Sequence, residues 1–215
     1  MMIRLLTATV LAATLGVAAA CSKEPAVTTL AVADNTVAKA SDKAANFTLT
    51  DQNGKSHELY ALKDSKAIVL VMQGVGCPIV QQLTPDLKDT VAAYKGKGVT
   101  FMMVNSNIQD SPAMIAAESE KFDIPIPILK DADQKVGLNL GAVRTAEVFV
   151  IQPKTWKILY HGPLNDRLTY GRAKAKPENY YTANVLDAVL AGGTVPVIKQ
   201  TADGCIINFV TKEHA

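Results

Sequence analysis

The apolar run at residues 67–73 passes through a glycine-containing turn directly into Cys77 and Pro78. A run rich in branched side chains and bounded by glycine is typical of a buried strand. Proline is tolerated in the first turn of a helix, and the residue before it is pushed out of the helical region. Cys77 is therefore predicted at the helix cap, where free backbone N–H groups and the helix dipole favour the reactive thiolate. The alternative is a structural cysteine, since free cysteine is among the most buried residue types.

The N-terminal residues 1–20 have the pattern of a secretory signal peptide, with Arg4 before an apolar stretch that ends in three alanines. This stretch is too short and wrongly flanked for a transmembrane helix. The small residues before Cys21 resemble a bacterial lipobox, although Ala18 stands where leucine is usual. We expect lipidation of Cys21 and a periplasmic, membrane-anchored bacterial protein. Ordinary cleavage after an Ala-x-Ala site is the alternative.

The remaining chain divides into three parts. Residues 21–45 are polar and lack periodicity, which predicts a flexible tether. Residues 46–209 suit one domain, and residues 210–215 form a short tail. With 22 basic and 20 acidic residues the net charge is only +2, so nucleic acid is not expected as a partner.

Alternation and helical spacing predict a β-α-β start, a second β-hairpin and a closing helix. The predicted strands are 47–50, 56–60, 67–73, 99–105, 147–151 and 157–161, with extended segments at 126–129 and 194–209; the predicted helices are 78–94, 112–122, 134–140 and 177–190. Pro85 should kink or divide the first helix. This order predicts an α/β three-layer sandwich with a mixed central sheet, flanking helices and an N-terminal β-hairpin.

Several segments resemble a known family. Phe47–Gly54 is similar to the family's opening hairpin, and Gly76–Ile79 is similar to its active-site segment. Arg144–Val150 is similar to the loop and strand that face the active-site cysteine. The other three segments are Leu159–Arg167, Val195–Val197 and Gly204–Ile207. Together they resemble the thioredoxin-like redoxin, or peroxiredoxin-like AhpC/TSA, family. The last three segments are similar to an exported bacterial subgroup that ends in a Gly-Cys tail.

This resemblance implies an exported thiol-dependent oxidoreductase that reduces a peroxide or exchanges with a protein disulfide. Cys77 would be the nucleophile, Cys205 the resolving cysteine, and Arg144 the group that stabilises the thiolate. Arg144 has an alternative role in a surface or structural ion pair with Glu147 or Asp166. Alternatively, Cys205 is an unpaired cysteine in the tail. No cofactor is implied, and the substrate and the recycling reductant stay open.

Three departures from the family pattern bear on the chemistry. Val80 replaces the second cysteine of Cys-x-x-Cys, so a local dithiol is absent. Gly74 replaces the threonine or serine that holds peroxide in typical peroxiredoxins, which puts peroxide reduction in doubt. Ala146 replaces the usual cis-proline, and because a cis bond before a non-proline residue costs about 2.5–4 kcal/mol we expect a trans peptide after Thr145.

Two further functions are compatible with the sequence. The first is a periplasmic copper chaperone, in which Cys77, Cys205 and either His161 or a methionine bind Cu(I), since soft thiolates select that ion. The Cys-x-x-x-Cys motif of Sco-type copper chaperones is absent, because Gln81 holds its second position. The second is an inert domain in which a Cys77–Cys205 disulfide is purely structural; such a bond would have a reduction potential below about −300 mV.

Overall fold

The structure is a computed structural model that describes residues 41–193, 195 and 198–210. The predicted signal peptide, Cys21, most of the tether and residues 211–215 lie outside the described residues. Within the described part of the chain, no helix is both long and apolar enough to cross a membrane.

The described elements follow the predicted order. The strands are β1 (Thr48–Asp51), β2 (Ser56–Glu58), β3 (Ala67–Gln73), β4 (Val99–Asn105), β5 (Ile128–Lys130), β6 (Val148–Ile151), β7 (Ile158–Gly162), β8 (Leu168–Thr169), β9 (Arg172–Ala173) and β10 (Ile198–Lys199). The helices are α1 (Pro78–Tyr94), α2 (Pro112–Lys121), α3 (Lys135–Leu140) and α4 (Tyr181–Leu190), with a 3-10 turn at Tyr60–Leu62. The Ser111 side chain caps α2 by accepting from the amide of Met114, as its position before Pro112 predicts.

One mixed sheet of eight strands, in the order β10-β7-β6-β3-β4-β5-β1-β2, organises the domain. The strand β3 pairs parallel with β4 and antiparallel with β6, and β1 and β2 form the predicted hairpin. All seven residues of β3 are buried, which confirms the expectation for an apolar run in the middle of a sheet. The α/β sandwich and its mixed sheet are thus as predicted.

Two apolar cores fill the space on either face of this sheet, because successive side chains of a strand point to opposite faces. One core contains Val69 and Val71 of β3 with residues of α1, α2 and α4, and it includes Cys77. The other contains Ile68 and Leu70 of β3 with residues of α3. The sheet therefore separates the surroundings of Cys77 from the α3 face.

The helix α1 runs without a break from Pro78 to Tyr94, so of the two outcomes predicted at Pro85, a kink or a division, the division does not occur. Pro85 is exposed, and it lacks the N–H that would continue the helical ladder. The guanidinium of Arg167 donates to the carbonyl of Gln82 next to this gap and also binds the Asp86 carboxylate. The carbonyl that loses its helical donor is that of Gln81, four residues before Pro85, so these contacts brace the neighbouring turn of α1 and do not replace the missing bond.

The helix α4 begins at Tyr181, four residues later than the pattern at residues 177–190 predicts. The carboxylate of Asp166 accepts hydrogen bonds from the amides of Glu178 and Asn179, at 2.8 and 3.0 Å. A carboxylate that binds backbone amides competes with helix formation. Residues before Tyr181 therefore wrap around Asp166 instead of joining the helix.

The described chain contacts the domain from its first residues. The amide of Ala44 donates to the carbonyl of Trp156, and the amide of Ile158 donates to that of Asp42. Ala44 itself is buried. The end of the segment at residues 21–45 is thus seated along β7 and its hairpin.

Candidate active site

Cys77 lies at the N-cap of α1, with φ −68° and ψ 115°, as the Cys-Pro sequence predicts. Two buried carboxylates hold the turn that leads to it. Asp110 accepts from the amide of Val75 at 2.9 Å, and Glu118 accepts from the amide of Gly76 at 2.7 Å. Because each successive amide has its own acceptor, the position of Cys77 is fixed by the protein around it.

The tail residue Cys205 is paired with the loop before β6 through its backbone. The amide of Thr145 donates to the carbonyl of Cys205, and the amide of Cys205 donates to the hydroxyl of Thr145, both at 2.9 Å. The next tail residue, Ile206, forms an isolated antiparallel bridge with Arg144. The tail therefore lies along this loop like a short strand.

The sulfurs of Cys77 and Cys205 lie 2.9 Å apart, and both cysteines are free thiols. Cys77 is only 3% exposed, whereas Cys205 is exposed to solvent. The Thr145 hydroxyl is 3.0 Å from the sulfur of Cys77. That hydroxyl also accepts from the amide of Cys205. When Cys77 is ionised its sulfur can only accept, so the hydroxyl then donates its hydrogen to Cys77.

These contacts push the pKa values of the two thiols in opposite directions. Burial raises the pKa of Cys77, but hydrogen bonds from the Cys205 thiol and the Thr145 hydroxyl outweigh it, helped by the amide of Val80, so the pKa of Cys77 is lowered overall. Partial burial, the hydrogen bond donated to Cys77 and the charge on Cys77 raise the pKa of Cys205 to about 11. Cys77 is therefore the thiol of the pair that ionises more readily, and Cys205 is the one that donates the hydrogen bond between them.

The peptide bond between Thr145 and Ala146 is trans, as predicted, and no described residue follows a cis bond. Ala146 adopts a left-handed φ of 65°, and its amide donates to the carbonyl of Met72 at the end of β3. The loop thus reaches the site without proline, and it presents the hydroxyl of Thr145 to both cysteines.

Gly74 leaves no space for the hydroxyl side chain that peroxiredoxins carry at this position. A Cβ atom there would lie 2.6 Å from Nδ2 of Asn107 and 2.7 Å from Cγ2 of Thr145. Both contacts are closer than van der Waals packing allows. The position that holds peroxide in that class is therefore filled by neighbouring side chains.

Substitution of threonine for Gly74 should lower the free energy of unfolding by about 1–3 kcal/mol, because overpacking a buried site forces side chains and backbone to shift. Chemical denaturation measures this directly. The control is Gly193→Thr, where an added Cβ would lie 3.2 Å from its nearest neighbour, the carbonyl oxygen of Ala188, a milder contact than either of those at Gly74. Equal stability of Gly74→Thr and the wild type would show that the site has room for a hydroxyl residue.

Arg144 contacts the tail. Its guanidinium donates to the carbonyl of Gly204 at 3.1 Å and to the hydroxyl of Tyr170 at 2.7 Å. Within the described chain it forms no ion pair with Glu147 or Asp166; Asp166 pairs instead with Lys174. The largest contributions that lower the pKa of Cys77 come from Cys205 and Thr145. Arg144 is thus placed to act on the cysteine pair through the tail.

His161 is not brought together with the two cysteines. It is buried and stacks on Phe149, with ring centroids 4.1 Å apart, on the face of the sheet that α3 covers. Cys77 belongs to the core on the opposite face. Among the described residues, no group of three or more histidine, cysteine or acidic side chains is arranged to hold a metal ion.

Three residues of the site are not identified by the sequence patterns. Thr145 stands out in the sequence only as the neighbour of Ala146, although a hydroxyl residue beside a missing cis-proline is a usable signal. Tyr170 stands before Gly171 in a turn that the patterns do not predict. Gly204 belongs to the Gly-Cys tail, and the reason for a glycine there is steric: a Cβ atom would lie 1.8 Å from the carbonyl oxygen of Thr145.

Comparisons with known proteins identify the relatives of this chain. The chain is 28% identical over 150 residues to the thiol-disulfide oxidoreductase ResA of Halalkalibacterium halodurans, covering 69% of this chain and 78% of that protein. A crystal structure of a hypothetical protein from Sinorhizobium meliloti 1021 is similar with a TM-score of 0.68 and 28% identity, over 79% of this chain and 93% of that one.

The thioredoxin domain of a thiol-disulfide oxidoreductase from Bacteroides vulgatus has a TM-score of 0.53 at 20% identity, over 68% of this chain and 95% of that one. At that identity the likeness shows the fold, which is thioredoxin-like. The sequence model of the AhpC/TSA family matches residues 40–164, more than half of the chain. The protein therefore belongs to the AhpC/TSA family.

Proposed function

We propose that this protein is an exported thiol–disulfide oxidoreductase that cycles between a Cys77–Cys205 disulfide and the corresponding dithiol. The observation that carries the proposal is the 2.9 Å approach of the two sulfurs, one a buried thiol with a lowered pKa and the other an exposed thiol with a raised one. The similarity to ResA, a thiol-disulfide oxidoreductase by name, supports the same class of chemistry. Protein disulfides are the proposed substrates.

Reduction of a substrate would proceed in two exchanges. The Cys77 thiolate attacks one sulfur of the substrate disulfide, the substrate bond breaks, and the second substrate sulfur leaves as a thiolate. Cys205 then loses its proton and attacks the sulfur of Cys77, which releases the remaining substrate thiolate. The substrate gains two electrons, and the protein is left with the Cys77–Cys205 disulfide for an external dithiol to reduce.

The contacts of Cys205 make its deprotonation, and hence the second exchange, easier after the first exchange than before it. The hydrogen bond to Cys77 and the charge on Cys77 both raise the pKa of Cys205. Burial, the largest cause of the raised pKa of Cys205, remains when Cys77 is bound in the mixed disulfide, but the negative charge on Cys77 and its effect on that pKa are gone. Cys205 therefore becomes easier to deprotonate once it is needed, while in the resting dithiol it stays protonated.

Disulfide exchange is favoured over peroxide reduction because of Gly74. The hydroxyl side chain that would hold a peroxide is absent, and Asn107 and Thr145 occupy its space. Because Cys77 is buried, a protein disulfide can reach its sulfur only after the tail that carries Cys205 moves away. Copper binding through His161 is not favoured, because His161 lies on the other face of the sheet.

Export and anchoring are proposed from the sequence alone, since Cys21 lies outside the described residues. A signal peptide that ends at a lipidated Cys21 would place the domain on the outer side of a bacterial inner membrane or in the periplasm. The segment up to residue 40 would then link the lipid to the domain. Disulfide exchange is common in that compartment, which fits the proposed chemistry.

The proposal is tested by equilibrating the protein in buffers with graded ratios of reduced to oxidised glutathione and then identifying disulfides by peptide mass spectrometry. The Cys77–Cys205 bond should form and disappear reversibly across the series. Cys77→Ser and Cys205→Ser serve as controls and should form no intramolecular bond between these positions. A bond that persists in excess reduced glutathione would indicate a structural disulfide, and a pair that never forms would refute the proposal.

A further inference from the structure

A two-stranded hairpin outside the main sheet carries a tyrosine to the active-site tail. The strands β8 and β9 are joined at Tyr170 and Gly171, and Gly171 has a left-handed φ of 70°. Leu168 of β8 is buried in the same core as Cys77 and anchors the hairpin, whereas the side chain of Tyr170 is 55% exposed. The hairpin therefore holds Tyr170 over the surface at the site without making it part of the core.

The Tyr170 hydroxyl binds both backbone groups of Gly204, the residue before Cys205. It donates to the carbonyl of Gly204 and accepts from its amide at 3.1 Å. It also accepts from Arg144 at 2.7 Å, and Arg144 donates a further bond to the same carbonyl at 3.1 Å. One hydroxyl and one guanidinium thus fix the peptide groups on either side of Gly204.

Two more contacts extend this arrangement. The Tyr170 amide donates to the carboxylate of Asp203 at 3.0 Å, so the hairpin is bound to two consecutive tail residues. The guanidinium of Arg144 also lies over the Tyr170 ring, 5.6 Å from its centroid. Arg144 pairs with Ile206 in the bridge on the other side of Cys205. The tail is therefore held immediately before and immediately after Cys205.

We infer that Tyr170, together with Arg144, is a positioning residue that holds the Cys205 segment so that its sulfur meets Cys77. This inference rests on the proposed function and extends it to a residue that touches neither sulfur. A disulfide forms readily only when its cysteines are held at a narrow range of distances. If the tail is held less firmly, Cys205 also occupies positions away from Cys77. The effective concentration of the Cys205 thiol at the Cys77 sulfur is then lower.

The test is Tyr170→Phe, which keeps the ring and removes only the hydroxyl. In the glutathione series, the equilibrium constant for forming the Cys77–Cys205 bond should fall about tenfold, since the variant loses hydrogen bonds that each hold the tail. The control is Tyr180→Phe: Tyr180 is also an exposed tyrosine, and its hydroxyl makes no hydrogen bond to the described residues. It should behave as the wild type, within twofold.

A second readout separates positioning from a general loss of structure. The pH dependence of iodoacetamide reaction at Cys77, followed by peptide mass spectrometry, should shift upward in Tyr170→Phe, because the Cys205 thiol no longer donates as well. In a Cys205→Ala background, Tyr170→Phe should cause no further shift. A disulfide equilibrium unchanged in Tyr170→Phe, or a shift that persists without Cys205, would overturn the inference. Failure of the wild type to form a reversible bond would instead refute the proposed function.

Discussion

Replacing Gly204 with alanine is expected to weaken formation of the Cys77–Cys205 disulfide more than any other change outside the two cysteines. The added Cβ would lie 1.8 Å from the carbonyl oxygen of Thr145 and 3.1 Å from its hydroxyl oxygen. Backbone atoms cannot rotate away as a side chain can, so the tail must move off the loop. The hydrogen bonds between Cys205 and Thr145 would be broken in the process.

Overpacking of this kind costs about 1–3 kcal/mol, which corresponds to a fall of roughly fivefold to 150-fold in the equilibrium constant. The glutathione series measures that constant. Circular dichroism should show an unchanged fold, since the tail lies outside the central strands. Gly193→Ala is the matched control, because its added Cβ also faces a backbone carbonyl oxygen but at 3.2 Å, far less close than the 1.8 Å at Gly204. A Gly204→Ala protein that oxidises like the wild type would mean that the tail does not depend on its close approach to Thr145.

Replacing Thr145 with valine should raise the pKa of Cys77 and slow its exchange with disulfides at neutral pH. The substitution keeps the shape of the side chain and removes the hydroxyl that bonds the Cys77 sulfur and accepts from the Cys205 amide. A hydrogen bond to a charged group contributes about 1.5–3 kcal/mol, so the exchange rate should fall about tenfold or more.

The sign of this effect follows from the protonation states. The hydroxyl stabilises the thiolate, and its loss therefore favours the protonated thiol, so that a higher pH is needed for the same reaction rate. The measurement is the pH profile of Cys77 alkylation resolved by peptide mass spectrometry. Thr182→Val is a close control, because Thr182 is also buried and its hydroxyl has no partner among the described residues. An unshifted pH profile in Thr145→Val would show that the Thr145 hydroxyl does not stabilise the Cys77 thiolate.

The strands and the cap of α1 could be predicted from the sequence because their causes are local. The apolar run at residues 67–73 is buried on both faces as β3, and the residues 99–105 form β4 with the predicted bounds. Cys77 precedes a proline and lies at the helix cap, which is a constraint between neighbours. Constraints between neighbouring residues, such as this one, can be identified from the sequence alone.

The start of α4 and the contacts that α1 makes near Pro85 could not be predicted, because side chains distant in sequence make them. The carboxylate of Asp166 accepts hydrogen bonds from the amides of Glu178 and Asn179, so these residues do not join the helix. Arg167 supplies a donor to α1 across a separation of 85 residues. In the site, Thr145 and Tyr170 contact the tail over 60 and 34 residues respectively, so their roles appear only once the chain is folded.

The two sulfurs come from positions 128 residues apart, and the tail that carries the second is the last described segment of the chain. Before this tail docks, Cys77 lacks the Cys205 thiol as a hydrogen-bond donor, which is the largest contribution that lowers its pKa. Until the tail docks, the Cys77 thiol therefore has a higher pKa and is a weaker nucleophile at neutral pH. The reactivity of this sulfur is thereby coupled to completion of the fold.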